Sequence, residues 1–180
     1  MRWFRSTSVV ADIIVQVTGQ PGAYGFVSMN AHADLEASAR TIVDSNLYMV
    51  LGTADAAGQP WVSPVYFASI GYTEFLWVSQ TTRQHSRNVV ARPEVSLVIF
   101  DSTIPINTGN AVYVSAAASE VPAPEVPGYI QVYSRSAVSH GGEPFTTADV
   151  VAPAPHRLYR ATARQVWALD ENDDRIEVTL

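Results

Sequence analysis

The sequence predicts a mainly β domain of the α+β class, an antiparallel barrel with peripheral helices, and three observations lead to this prediction. Seven short apolar or alternating segments are separated by turn residues, a pattern typical of β-strands. The helical patterns between them do not alternate with the strands as they would in a parallel α/β fold. The chain has 180 residues, of which 47% are hydrophobic and 16% charged, so it is about the length of one globular domain.

The strands follow from the lengths and periods of the apolar segments. The first is an apolar run short enough to be a buried strand, and residues 55–58 form the turn after it, with a glycine suited to a left-handed backbone conformation. In the last strand, apolar and polar side chains alternate, as in a half-buried strand. The seven strands are expected at residues 47–54, 59–69, 75–79, 95–100, 111–118, 158–169 and 176–180.

Three helices are predicted from apolar residues at helical spacing. The first begins at Asp34, whose side chain is placed to cap it, and ends near Asn46. The second covers residues 83–91 and stops before Pro93, because the residue before a proline avoids the α region. The third lies between residues 124 and 138. The buried face of the first helix is expected to carry Leu35, Ala39, Ile42 and Val43.

Residues 1–30 are expected to form a loosely ordered N-terminal extension, and residues 31–180 form the barrel domain. An early apolar stretch has some features of a signal peptide, but Asp12 and Gln16 interrupt it. No run approaches the roughly eighteen apolar residues that a membrane-spanning helix needs. We therefore expect a cytoplasmic protein without a membrane partner.

The composition excludes several classes of function. The net charge of −6 disfavours nucleic acid as a partner, because binding to phosphate backbones depends on clustered basic residues. The absence of cysteine removes disulfides, thiolate catalysis and cysteine metal sites, and His140 and His156 have no second ligand at metal-binding spacing, so no metal site is expected. All eleven basic residues are arginines, which excludes Schiff-base chemistry and leaves arginine to supply the cationic contacts to any ligand.

An arginine stands at the start of the helix predicted at residues 83–91, where positive charge is normally unfavourable. The free N–H groups of a helix N-terminus already carry about half a positive charge. A phosphate on those N–H groups would remove the conflict, with Arg83 and nearby hydroxyls closing around it. The sequence thus predicts a phosphate-bearing ligand at this helix start.

Each residue of this predicted site also has an interpretation without a ligand. Arg83 could pair with a surface carboxylate, and Ser79 and Thr82 could cap the helix. His85 could contact the phosphate, with a charge that responds to pH near neutrality, or could be an exposed surface histidine. Asn88 lies about one helical turn further on, where it could share the face of Arg83 and His85 or be a polar surface residue.

Several short motifs follow one another in a specific order between residues 34 and 180. After a helix come Leu-Tyr-Met-Val-Leu-Gly-Thr, Asp-x-x-Gly-x-Pro, Ser-Pro-Val, Trp-Val-Ser and Arg…Asn…Arg-Pro. This order resembles the pyridoxamine 5′-phosphate oxidase-like flavin-binding split barrels. The resemblance implies a split barrel of six or seven strands that forms a homodimer. It also implies FMN, or in some branches the deazaflavin F420, bound at the subunit interface.

The resemblance assigns a role to ten residues. Those beside the flavin ring and phosphate would be Ser63, Pro64 and Val65. Those on the turn and helix start that hold the phosphate tail would be Ser79, Thr82, Arg83, Gln84, His85 and Asn88. Trp167 of the partner subunit would lie by the isoalloxazine ring. Trp61 and Trp77 are expected instead to pack in the core or at an interface.

Three positions depart from the pattern of true pyridoxamine 5′-phosphate oxidases. Ser63 and Ala68 stand where those enzymes carry basic residues on the second strand, and His85 stands where their usual lysine lies. Each charge-assisted hydrogen bond lost costs about 1.5–3 kcal/mol, so the phosphate would be held less tightly. The sequence favours an FMN- or F420-dependent oxidoreductase acting on an unknown small molecule, and not vitamin B6 oxidation. The alternative is a non-catalytic flavin-binding or storage protein, or a cofactor-free barrel.

Overall fold

The computed structural model describes residues 29–106 and 108–180, and these contain four helices and eight strands. Most of the predicted N-terminal extension, residues 1–30, lies outside the described residues. The helices are α1 (Met29–Ser45), α2 (Gln84–Ala91), α3 (Val126–Ser139) and α4 (Thr147–Val150). The strands are β1 (Tyr48–Ala54), β2 (Pro60–Tyr66), β3 (Ala68–Ile70), β4 (Glu74–Gln80), β5 (Glu94–Phe100), β6 (Ala111–Glu120), β7 (His156–Leu169) and β8 (Arg175–Glu177).

The strands form one antiparallel sheet that curls into a split barrel, which confirms the predicted fold class. The order along the sheet is β2-β1-β5-β6-β7-β4-β3, and β8 also pairs with β7. Only Phe67 separates the end of β2 from the start of β3, so the chain itself brings the two ends of the sheet together. β2 and β4 are in contact there, but no backbone ladder joins them in the described residues. We call this line between β2 and β4 the seam.

The inner face of the sheet carries the main hydrophobic core. Successive side chains of a strand point to opposite faces, so alternate residues of each strand are buried here. Trp77 and Tyr159 stack in this core with ring centroids 5.5 Å apart, and Trp77 is fully buried, as predicted. Helix α1 packs against β5, β6 and β7 and contributes Ala39 and Val43, which lie on its predicted apolar face.

The outer face of the sheet is covered on one half and exposed on the other. Helix α3 packs over β3 and β4, where its residues Ile130 and Tyr133 join Leu76 in a second hydrophobic cluster. On the outer face of β2, β1 and β5, large apolar side chains remain exposed to solvent in the described part of the chain. We call this half the open face; its exposed side chains include Tyr48, Val62, Pro64 and Phe100.

Four elements differ from the predictions made from the sequence, and one of them is the last strand, which ends at Glu177 and not at Leu180. Helix α1 already includes Met29, so the prediction that Asp34 caps it is wrong; no proline or glycine between the two residues interrupts the helix. The strand predicted at residues 59–69 is broken at Phe67, because β2 lies at one end of the sheet and β3 at the other. Helix α4, a single turn capped by Thr146, was not predicted.

Candidate functional site

The imidazole of His85 bridges the seam. Helix α2 lies against β1 and β2, and His85 is its second residue. The Nε2 atom of His85 is 2.8 Å from Ser79 Oγ on β4, and its Nδ1 atom is 3.1 Å from Ser63 Oγ on β2. His85 and Ser79 are only 9% and 8% exposed. A chain of side-chain hydrogen bonds therefore joins the two strands where no backbone ladder does.

The hydrogen bonds of this imidazole fit either neutral tautomer, because neither Ser63 nor Ser79 has another acceptor for its hydroxyl among the described residues. In one tautomer Ser79 donates to Nε2 and Nδ1–H donates to Ser63; in the other, Nε2–H donates to Ser79 and Ser63 donates to Nδ1. Ser63 Oγ also accepts a hydrogen bond of 3.1 Å from the indole N–H of Trp61. In either tautomer, the hydroxyl hydrogen of one of the two serines has no acceptor among the described residues and remains available to a ligand.

His85 is neutral at pH 7. Burial lowers the pKa of its imidazole, since removal from water disfavours the charged form, and the positive charge of Arg83 lowers it further. The Ser63–His85–Ser79 bridge therefore consists of three neutral groups. It lies next to a permanent cation at the start of α2.

Arg83 is the N-cap residue of α2, with an extended backbone (φ −73°, ψ 150°). Its side chain is exposed, and within residues 29–106 and 108–180 its guanidinium makes no ion pair. The first turn of α2 has no acidic residue and no side-chain cap, so Ser79 and Thr82 do not cap it. The conflict between Arg83 and the free N–H groups of α2 is thus present and uncompensated by the described residues.

Asn88 fixes the position of α2 on the barrel. Its side chain is 2% exposed, and its amide nitrogen donates to Thr53 Oγ1 on β1 at 3.0 Å. Its carbonyl oxygen accepts from the side-chain amide of Gln84 at 2.8 Å. Both polar ends of Asn88 are therefore used within the protein, and it positions the helix. Thr53 was not predicted from the sequence as part of the site, although a hydroxyl at an inward position of an apolar strand is a signal for it.

Neighbouring residues of β2 point to opposite faces of the sheet. Ser63 is opposite Leu51 on the inner face, where it meets His85, whereas Pro64 is opposite Val50 on the exposed outer face. Val65 is 8% exposed and belongs to the main core. The three residues are adjacent in the chain, but only Ser63 joins the bridge.

Trp167 lies away from the other predicted site residues within one chain. It pairs with Tyr113 on β6 and Glu177 on β8. Arg157, the β7 residue opposite Ser79, lies at the other end of the strand, about 33 Å away along β7 at roughly 3.3 Å per residue. A second copy of the chain would have to bring Trp167 to the bridge, so this assignment stays a prediction.

A groove of about 390 Å³ runs beside the open face at the start of β1 and the end of β5. Pro64 is the predicted site residue that lines it. Most of the lining surface is apolar, and the apolar residues there include Leu47, Tyr48, Val50 and Phe100. The seam and this groove therefore approach β2 from its two sides, one polar and one apolar.

Within the described ranges, no group of three histidine or acidic side chains is arranged to hold a metal ion. The same residues contain no helix that is both long enough and apolar enough to cross a membrane.

A family model described as pyridoxamine 5′-phosphate oxidase matches residues 35–170, well over half of the chain. A comparison with curated protein sequences gives no significant match.

Solved structures with the same fold include proteins with different bound groups in their names. The heme storage protein HutZ from Vibrio cholerae is 20% identical with a TM-score of 0.59, and the match covers 73% of this chain and 92% of HutZ. An FAD-binding protein from Mesorhizobium loti is 21% identical with a TM-score of 0.57, covering 73% of this chain and 91% of that one. An F420 reductase is 23% identical with a TM-score of 0.52, covering 71% and 94%. At these identities the matches establish the fold.

Proposed function

Because the chain belongs to the pyridoxamine 5′-phosphate oxidase family, we propose that it binds a flavin-type cofactor, FMN or F420, and uses it to oxidise or reduce a small molecule. The observation that carries this proposal is the convergence of Arg83 and the Ser63–His85–Ser79 bridge at the start of α2. We also propose that the protein forms a homodimer and acts in the cytoplasm.

The groups around the start of α2 fit an anion because they are hydrogen-bond donors. The first N–H groups of the helix have no intrahelical acceptor, and Arg83 adds a guanidinium with several N–H donors. One serine hydroxyl hydrogen of the Ser63–His85–Ser79 bridge has no acceptor among the described residues. A phosphate offers acceptors to all of them. We propose that Arg83 supplies the permanent charge, with Thr82 beside it.

The open face supports the proposed homodimer. Tyr48, Val62 and Phe100 are large apolar side chains that the described residues leave exposed, and Pro64 lies among them beside the apolar groove. A second copy packed on this face would bury them. In such a dimer, Trp167 of the partner subunit would supply the aromatic contact that one chain lacks. Flavin, when bound, carries hydride or electron chemistry, and this chain supplies binding and orientation.

A second candidate function is binding or storage of a cofactor without catalysis. Two observations favour it. Among the residues predicted to hold the phosphate, Arg83 is the one permanent cation, where the family pattern implies several. Structures with this fold include a protein named for heme storage, so the barrel is compatible with a cofactor other than flavin.

The proposal is tested by titrating the full-length protein separately with FMN, riboflavin, F420 and heme, following absorbance and flavin fluorescence. We expect FMN or F420 to bind at micromolar concentration, and FMN to bind about tenfold or more tighter than riboflavin, which has no phosphate. Sedimentation of the loaded protein should give the mass of two chains. Binding of neither FMN nor F420 would overturn the proposal, and binding of heme alone would favour the second candidate.

Catalysis is tested on the loaded protein. The bound cofactor is reduced chemically, and its reoxidation by a panel of small acceptors, including quinones and molecular oxygen, is compared with that of the free cofactor. An oxidoreductase should accelerate the reaction with at least one class of acceptor. Equal or slower reoxidation with every acceptor would support storage.

A further inference from the structure

We propose that His85 is a conditional cation of the phosphate site: binding of a phosphate-bearing ligand at the start of α2 draws a proton onto the imidazole, so affinity falls as the pH rises above neutrality. This inference rests on the phosphate site of the proposed function. It adds that the protonation of the His85 imidazole is coupled to the charge of the bound ligand.

The geometry of the bridge links the protonation of His85 to an external acceptor. In either neutral tautomer, the imidazole accepts from one serine and donates to the other, so one serine hydroxyl hydrogen is free among the described residues. A second ring proton reverses the hydrogen bond in which the imidazole accepts, because the imidazolium donates from both nitrogens. The hydroxyl hydrogens of both serines then need acceptors. A phosphate group has several acceptor oxygens, so it stabilises the protonated bridge twice, by charge and by hydrogen bonding.

The charged groups of α2 and its N-cap oppose protonation in the free protein. Arg83 lies two residues from His85, and its positive charge lowers the pKa of the imidazole. The guanidinium of Arg87 donates to Gln84 Oε1 at 2.6 Å and to the backbone carbonyl of Thr82. Neither arginine has a carboxylate partner among the described residues. An incoming anion would therefore be the first negative charge beside this ring.

The strands around α2 add no free carboxylate. Arg157 on β7 is opposite Ser79 and is paired with Glu120 at 3.2 Å. Tyr159 is buried, and burial raises the pKa of its phenol, so it stays neutral. At the end of β1, the carboxylate of Asp55 accepts hydrogen bonds from backbone amides of its own turn. The inward side chains of β1 and β2 that approach α2 are Thr53, Trp61 and Ser63, which carry no charge.

The direction of the pH dependence follows from these charges. In the free protein, burial and Arg83 hold the pKa of His85 below its ordinary value, so the ring is neutral at pH 7. A phosphate dianion beside the ring favours the charged form and raises this pKa. Affinity is highest below the pKa of the free protein and falls by up to about tenfold per pH unit until the pKa of the complex is passed.

The direct test is the pKa of His85, measured by NMR titration of the histidine ring signals in the full-length protein. Titrations are recorded without ligand, with saturating inorganic phosphate and with FMN. We expect the ligands to raise this pKa by about two units. An unchanged His85 pKa in a complex that does form would overturn the inference and leave the proposed function standing.

The functional test is the dissociation constant of FMN between pH 7 and 9, where a phosphate monoester is already mostly dianionic because its second pKa is about 6. We expect wild-type affinity to weaken about tenfold over this range, and the affinity of the His85→Gln variant to vary less than twofold. Riboflavin serves as the ligand control and His140→Gln as the protein control. Equal pH dependence in wild type and His85→Gln would overturn the inference. Failure of FMN, F420 and inorganic phosphate all to bind wild type would overturn the proposed function and this inference together.

Discussion

Arg83 at the start of α2 and Arg160 on β7 differ in whether carboxylates among the described residues face their guanidinium groups. Arg160 on β7 lies between Glu74 at 3.4 Å and Glu125 at 3.6 Å, and its guanidinium stacks over the ring of Tyr129 at 4.9 Å. Arg83 has no carboxylate partner among the described residues and stands at the positive end of a helix. A cation whose charge is balanced by its own fold stabilises that fold. A cation whose charge the fold leaves unbalanced is available to an external anion.

The same contrast separates the two polar clusters in which these residues lie. The Arg160 cluster joins α3 to β4 and β7 and is complete, since each charge faces an opposite charge or an aromatic ring. At the seam, the neutral groups of the bridge bond to one another, but one serine hydroxyl hydrogen has no acceptor and the Arg83 guanidinium has no carboxylate partner among the described residues. This difference predicts that mutations in the Arg160 cluster change the stability of the fold, whereas mutations at Arg83 and the bridge change the affinity for the ligand.

The largest expected effect is on ligand affinity at Arg83. We expect Arg83→Ala to weaken FMN binding by about 1–3 kcal/mol, or roughly 5-fold to 150-fold, because one charge-assisted contact is lost. Its urea midpoint should hardly change, since the side chain makes no described ion pair. Fluorescence titration measures the first quantity and urea unfolding the second. Arg135→Ala, at an exposed position on α3, is the matched control and should change neither. An Arg83→Ala protein with wild-type affinity would place the anion elsewhere.

Arg160→Ala should give the opposite pattern. Removing this guanidinium leaves Glu74, whose side chain is 23% exposed, without its partner and removes the stacking on Tyr129. We expect the free energy of unfolding to fall by about 1–2 kcal/mol, a value reduced from that of fully buried pairs because water reaches the cluster. FMN affinity should remain within about twofold of wild type. A large loss of affinity at unchanged stability would contradict the distinction between the two arginines.

Salt should weaken FMN binding by a smaller factor than the Arg83→Ala substitution does. Arg83 is exposed, so its attraction to a phosphate is screened when sodium chloride is raised from low to high concentration. We expect FMN affinity to weaken about threefold between about 0.05 and 0.5 M salt, measured by fluorescence at pH 7. Riboflavin affinity should stay constant. An equal response of both ligands would show that the phosphate contributes no electrostatic attraction.

The smallest effect is expected at the rim of the complete cluster. The carboxylate of Glu125 is 47% exposed, and Arg160 keeps Glu74 when Glu125 is neutralised. We expect Glu125→Gln to lower the free energy of unfolding by about 0.5 kcal/mol or less, as for other exposed ion pairs. Urea unfolding at pH 7 measures this. A loss comparable with that of Arg160→Ala would mean that Glu125 is the main partner of the guanidinium.

Much of the fold could be predicted because its signals are local. Strand alternation and helical period located α2 and most of the strands to within a few residues, and the turn at Gly58 has the positive φ of 88° that its glycine suggested. The break at Phe67 could not be predicted this way. The strand pattern continues on both sides of it, and only the closure of the sheet separates β2 from β3.

The candidate site was predictable in its residue types but not in its contacts. The conflict between Arg83 and the start of α2 is a property of neighbouring residues, so the sequence contains it. The bond from Asn88 to Thr53 spans 35 positions, and no local period indicates which side of an eight-residue helix faces β1. Asn88 was expected to contact a ligand or lie on the surface, and its side chain is buried in the contact between helix and barrel.

The sequence by itself determined the strand pattern, the absence of lysine and cysteine, and an arginine at a helix start, because these follow from residue identity and short-range spacing. Only the tertiary structure decided that β2 and β4 face each other without a ladder, and that His85 joins them through Ser63 and Ser79. The physical reason is that hydrogen bonds between distant residues depend on how the sheet closes. Closure is set by the packing of the whole core.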